Sequence, residues 1–418
     1  MRPFLALLVL LVSGSGCSSR ERSNPFDPGN PSTRGHPIAF AALAGDGYAT
    51  LTWQAVSGSG LVGYQAFRRA EGESSFRAIS DVIPPQLTRF TDFRLANGTD
   101  YHYQLYYVLS SGVGGRPAED VATPGPLRPW VTDLRAHRLL NLTPDARHVA
   151  FRDEAFAGPT QVDVDRATGV VWACDPDGNR VVIYEPRADV RRVVDNLGAP
   201  SAVAADPSTG TAWVCLEGEN RVVHLDENGD PAFPGQIAPL LDPVAVAVDP
   251  SAGGLWVCEG TGRAVRRFSA GGAAMWSVEV AQPSRVAVDS LTGEGWVTSF
   301  RSRNVTRISP DGRAIDTLTG FAGPIGIAVD SRRGRIWVAD PSADVLVALH
   351  LDGSVEHRLQ GLPEVREVAV DLATGEAWAT VPGARAVVRV SSAGTILREL
   401  FGFDEPEDIA LDPGRPVR

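Results

Sequence analysis

The chain's chemical resources are four cysteines, seven histidines and a few charged residues that interrupt an otherwise regular pattern. Cys174, Cys215 and Cys258 each stand two residues after a tryptophan, at equivalent places in successive repeats. Equivalent points on packed sheets lie about 10 Å apart, beyond the roughly 7 Å over which two Cα atoms can be bridged by a disulfide. They read as three buried free thiols, and the same distance opposes a three-cysteine metal site. His137, His148, His224, His350 and His357 fall at unequal offsets from the repeated tryptophans and do not converge. No G-x-S-x-G, H-E-x-x-H or phosphate-loop pattern is present, so nothing in the sequence assigns a nucleophile or a general base.

The charged interruptions are more informative. A repeated aspartate recurs in the last two-thirds of the chain, and the position four residues before it reads Gln161, Ala202, Ala245, Arg285, Gly326, Glu367 and Asp408. Asp163 stands where six other repeats have alanine. Gln161, Asp163, Arg285, Glu367 and Asp408 are therefore the candidate ligand-binding residues. They make a polar pocket suited to a cation, a sugar or a basic peptide. A second row, three residues after each tryptophan, reads Asp133, Asp175, Leu216, Glu259, Ser299, Asp340 and Val381. No cofactor is called for, and a divalent cation is the one group the acids would admit.

The elements that must hold these residues follow from the repeat itself, which has to be read before any motif. The aspartate–tryptophan pairs are Asp165/Trp172, Asp206/Trp213, Asp249/Trp256, Asp289/Trp296, Asp330/Trp337 and Asp371/Trp378. Each aspartate ends an Ala- and Val-rich run, and a polar, Gly-bearing turn separates it from its tryptophan. Two further short runs follow each tryptophan, which makes four strands per unit, the content of a propeller blade. The repeated aspartates suit acceptance of turn amides. The repeated tryptophans suit wedges between blades, each burying roughly 150–250 Å².

The ends complete the count. Trp130 opens the second-strand phrase with no first strand before it, and Pro406–Asp412 is a first-strand phrase with no tryptophan after it. The C-terminal strand is thus expected to supply the inner strand of the blade begun at Trp130. That closes seven blades and leaves no open edge. The repeat, P-I-G-I-A-V-D followed by W-V-A-D in its clearest copy, resembles the NHL family and related bacterial propellers, and the resemblance runs from residue 130 to 418. Some members of that group hydrolyse lactones, cleave streptogramin antibiotics or act as zinc-dependent lyases. The resemblance therefore admits a metal-dependent hydrolase or lyase, its cation at the axial mouth near Glu367, Asp408 and Asp163.

Upstream, residues 37–124 alternate as short strands around Leu51, Trp53, Tyr64, Phe67 and Leu105. The L-T-W, G-Y-Q-A-F-R-R and L-A-N-G-T-D-Y-H-Y stretches resemble a fibronectin type III domain, which implies that Leu95 and Tyr101 form its tyrosine corner. His102 falls on the solvent face, and residues 125–129 are a Pro-bearing joint. Residues 1–16 have one positive charge, an apolar run and a small-residue end, as a signal peptide does. L-V-S-G-S-G-C resembles a bacterial lipoprotein box, which makes Cys17 the lipidated first residue of the mature chain. Residues 17–36 lack periodicity and read as a flexible tether; their N-P-F-D-P run is similar to segments that follow such anchors.

The totals agree. A length of 418 residues allows two or three domains, and 43 glycines with 31 prolines suit many strands joined by tight turns. A net charge of −11 without a basic stripe excludes a nucleic-acid partner. The expectation is an all-β protein: a fibronectin type III sandwich followed by a seven-bladed propeller closed by the C-terminal strand. Its expected place is the bacterial cell envelope, on the periplasmic or surface side, anchored in the membrane by lipid. There it would bind an envelope or exterior protein or glycan through the propeller's axial face.

Overall fold

The computed structural model describes residues 23–186 and 189–414. The expected signal peptide and Cys17 lie outside the described residues. The fold is all-β, and among the described residues the only helical elements are three short 3-10 turns. The chain divides into two compact units. Among the described residues, one holds 23–41, 51–90 and 101–121; the other holds 42–50, 91–100 and those from 122 to 414.

The smaller unit is built on a four-stranded antiparallel sheet: Arg77–Ala78, Leu61–Ala70, Tyr101–Leu109 and Gly112–Ala122. Every second residue from Tyr101 to Tyr107 is buried, the period-2 pattern of a strand with one covered face. Trp53 and Tyr64 meet with ring centroids 5.2 Å apart. Phe67, expected in that core, lies instead beside Tyr106 on the other face, because it is an odd number of residues from Tyr64 along one strand. The expected tether does not hold over residues 24–36. They form a chain of turns in which Phe26, Asn30 and Thr33 are buried. Short polar side chains saturating neighbouring amides are enough to order such a stretch.

The larger unit contains seven four-stranded antiparallel sheets in a propeller-type repeat. Their first strands are Gln161–Val164, Pro200–Asp206, Pro243–Val248, Arg285–Val288, Ile327–Asp330 and Val368–Val370 for the second to seventh sheets. In the first sheet that place is taken by the C-terminal strand Pro406–Asp412, which pairs with Arg128–Asp133. Within each sheet the repeated aspartate does what its turn position requires. Asp165 accepts from Ala167 and Thr168, Asp249 from Ser251 and Ala252, Asp371 from Ala373, and Asp412 from Gly414. At the first of these turns Gly169 adopts φ +79°, the left-handed conformation that residues with a Cβ rarely take.

The tryptophans hold sheet to sheet. Each packs against the first strand of the following sheet: Trp172 on Val203 and Ala205, Trp256 on Val286, Trp337 on Val368 and Val370. Trp378 of the seventh sheet meets Ile409 and Leu411 of the C-terminal strand. Five of the seven rings are fully buried, yet six indole N–H groups lack a partner. An unpaired buried N–H costs about 1–3 kcal/mol, while removing a buried aromatic side chain costs about 3–5 kcal/mol. Burial wins, and most rings gain a further contact on one face. The third-strand residue opposite the tryptophan supplies it: Arg267, Arg307 and Arg389 lie over Trp256, Trp296 and Trp378, and His224 stacks on Trp213 at 4.0 Å.

Candidate functional site

The register of each sheet decides what its first strand shows to the space within the repeat. In the second sheet the amides of Asp163 and Asp165 lie in hydrogen-bonded pairs with the second strand. The amides of Val162 and Val164 therefore point away from it. The equivalent edges of the other sheets line the same cavity of about 310 Å³. An exposed row of N–H and C=O groups is an unsatisfied strand edge, and the candidate residues act on that edge.

Three of the five are spent on it. Asp408 reaches from the first sheet to the second, its Oδ2 accepting from the Val162 amide at 2.9 Å. Its Oδ1 accepts from Ile409 at 2.8 Å. Gln161 Oε1 reaches from the second sheet to the Val203 amide of the third. Asp163 accepts from its neighbour Val164 and, through Oδ2, from Ala205 of the third sheet at 2.9 Å. In each pair a polar side chain bridges two sheets where alanine stands elsewhere in the repeat.

Arg285 and Glu367 form a different bridge. Arg285 Nε lies 2.6 Å from Glu367 Oε1, joining the fifth and seventh sheets past the sixth. Gly326 is the sixth sheet's residue at that level. A Cβ there would come within 2.4 Å of the Arg366 carbonyl oxygen, 2.7 Å of Glu367 Cα and 2.8 Å of Glu367 Oε2. The glycine is what leaves the carboxylate its place. Beside this pair, Arg366 Nη1 meets Glu407 Oε2 at 2.6 Å, linking the seventh sheet to the first.

Burial shapes the electrostatics. Glu367 and Asp408 are each 6% exposed. Burial, then the like charge of Glu367, push Asp408 up to about 8, against Arg285 and the two amides. Burial raises Glu367, with Arg285 opposing. It raises Asp163 as well, against the Ala205 and Val164 amides. For Arg285 burial works against its charge, but Glu367 and Asp408 outweigh it and hold its pKa above the ordinary value. Glu367 and Asp408 thus share the Arg285 guanidinium, while Asp163 feels Arg166, and the shared pair favours a bound proton or an approaching cationic or hydroxyl-bearing group.

The acids do not assemble as a metal centre. Among the described residues no three His, Cys, Asp or Glu side chains come together as a ligand set, and Asp163, Glu367 and Asp408 are held by amides and a guanidinium. None of the histidines lines the cavity. The second row serves the approach loops. Asp133 accepts from Asp404 and Glu405, Asp175 from Ala157 and Gly158, Glu259 from Leu241, and Asp340 from Ala322 and Gly323. The three cysteines are free and fully buried, and burial raises all three thiols.

Sequence reasoning missed the hydroxyls two residues after the tryptophans. Thr132 Oγ1 accepts from the Asp408 amide and donates to the Thr160 carbonyl of the next sheet. Thr380 Oγ1 accepts from Glu367 and donates to the Glu407 carbonyl, and Thr298 donates to that of Ile325. The cysteines occupy the same place in three other sheets, so a shared small polar side chain was the available signal.

No protein-family model matches the chain, and no curated protein matches it. Solved structures do. A functionally unknown protein from Desulfotomaculum acetoxidans is similar with a TM-score of 0.59 at 12% identity, covering 69% of this chain and 99% of that one. Hydrazine synthase of Kuenenia stuttgartiensis is similar with a TM-score of 0.55 at 14% identity, covering 62% and 91%. At these identities the likeness is one of fold.

Proposed function

We propose that this protein is an exported, lipid-anchored binding protein of the bacterial envelope. In this reading a fibronectin type III sandwich precedes a closed, NHL-like seven-bladed propeller, and the propeller's axial face recognises an envelope or exterior protein or glycan. Closure is supported by the pairing of Pro406–Asp412 with Arg128–Asp133 and by Trp378 against Ile409 and Leu411. The sandwich is supported by the alternating burial from Tyr101 to Tyr107 and the Trp53–Tyr64 contact.

The observation that carries the binding reading is the pair Arg285 and Glu367, held on a first strand and at the entry to another and lining the cavity. Sites on strands hold their geometry better than sites on loops. The metal-dependent hydrolase or lyase reading is not advanced, since Asp163 and Asp408 each use both oxygens on backbone amides.

The binding test is capture from an envelope extract with the wild type and with Arg285→Ala/Glu367→Ala. A band retained by the first and lost with the second is expected; identical profiles would sink the axial site. The anchor has a separate test. Cys17→Ala should move the protein from the membrane to the soluble fraction, and unchanged fractionation would remove the lipid reading.

A further inference from the structure

The segment at residues 24–36 carries no regular strand, yet it is bound at every few atoms. Asn24 Oδ1 accepts from the Phe26 amide at 3.0 Å, and the Asn24 carbonyl accepts from Asn30 Nδ2 at 3.0 Å. Asn30 Oδ1 accepts from Ser32 and Thr33 at 2.8 and 3.1 Å. Thr33 Oγ1 donates to the Pro25 carbonyl at 2.6 Å. Pro25, Pro28 and Pro31 lack amide donors and have a fixed φ, so ordering them costs little entropy.

The same turns are fastened to the body of their unit at several points. The Phe26 ring meets the edge of Tyr107 at a centroid distance of 4.9 Å. Tyr107 Oη donates to the His36 carbonyl at 3.0 Å, and the Arg116 amide to that of Gly35 at 3.2 Å. Two glycines make room: a Cβ on Gly58 would strike the Phe26 ring at 2.7 Å, and one on Gly115 the Gly35 carbonyl oxygen at 2.5 Å. A tether has no use for buried asparagine and threonine, or for a body carved to receive it.

We propose that residues 24–37 are a docking clasp that fixes where the chain leaves the folded body for its lipid anchor. The inference rests on the lipid-anchor reading of Cys17. Seven peptide units separate Cys17 from Asn24, and twenty separate it from Pro37. At up to about 3.5 Å per residue the clasp shortens the longest reach from roughly 70 Å to roughly 25 Å. The body is thereby kept beside the lipid headgroups, and its natural partner surface is the bilayer that carries it.

Two measurements test this, and they fail separately. In the unlipidated Cys17→Ala protein, trypsin should cut after Arg20 and Arg22 at least tenfold faster than after Arg34. Phe26→Ala/Asn30→Ala should bring Arg34 to the rate of the other two. Equal rates in the parent protein would overturn the clasp whatever the anchor does. In vesicles of phosphatidylethanolamine and phosphatidylglycerol, the lipidated full chain would be labelled through Glu71→Cys, with an acceptor dye on the headgroups. Energy transfer should fall when a fourteen-residue Gly-Ser insert follows Arg22, and fall similarly in Phe26→Ala/Asn30→Ala. A fall with the insert alone would overturn the proposal. No transfer in any lipid-modified sample would overturn the anchor reading while leaving the trypsin result standing.

Discussion

Arg285 and Glu367 belong to sheets that are not neighbours, and they meet at 2.6 Å because the sheet between them offers only Gly326 at that level. A charged pair inside the repeat is thus set by the absence of a side chain on a third strand. Breaking a buried ion pair from one side costs about 3–5 kcal/mol, since the remaining charge keeps its desolvation penalty.

Gly326→Ala should therefore destabilise the protein by about 1–3 kcal/mol through overpacking. Arg285→Met should cost more, because it leaves Glu367 and Asp408 without their cation. Urea unfolding at neutral pH checks both, and a Gly326→Ala midpoint equal to wild type would refute the packing claim.

Asp408 gives a pH signature. Its folded pKa, about 8, is above the ordinary carboxylate value, so the native state binds more protons than the unfolded one between roughly pH 4 and 8. Stability contributed by this group is full at the acid end of that window and declines as pH rises through it. Asp408→Asn should flatten the slope while costing about 1–2 kcal/mol at low pH, as one of the Val162 and Ile409 amides then faces an NH₂ group. Denaturation midpoints at pH 5, 6.5 and 8 for both proteins would decide it, and parallel curves would count against the assignment.

The buried thiols supply a third expectation. In Cys17→Ala protein, Cys174, Cys215 and Cys258 should resist an aromatic disulfide reagent at pH 8 and all three should react in denaturant. Native labelling within minutes would contradict their burial.

A fourth concerns the stacked tryptophans. Arg267 lies over Trp256 and pairs with Asp249 at 2.7 Å, both side chains almost fully buried. Arg267→Ala should cost about 3–5 kcal/mol. Arg313→Ala, at an exposed pair with Asp311, should leave the unfolding midpoint close to that of the wild type. Comparable losses would mean that burial is not what distinguishes them.

Much of this architecture was legible because the repeat is a phrase with fixed offsets. Asp249, Trp256 and Val246 announce a turn, a wedge and a first strand in one line of sequence, and the structure uses them so. The five interruptions could be found by the same register, but their partners could not. That Asp408 would reach Val162, 246 residues away in the chain, depends on which strand edge faces inward, and only the hydrogen-bonded pairing reveals that. Residues 24–36 were misread for a related reason. Periodicity detects regular elements, whereas this segment is ordered by side chains that cap single amides, a signal with no period.

The place of the last strand has a consequence for how the protein comes into being. Arg128–Asp133 is made early and receives its inner partner, Pro406–Asp412, only when some 270 intervening residues have been produced. Such a long-range pairing is slow to form and leaves an edge open meanwhile. During synthesis the first sheet must therefore wait, three-stranded, for Pro406–Asp412. Any truncated translation product stopping before residue 406 would present that waiting edge to its neighbours.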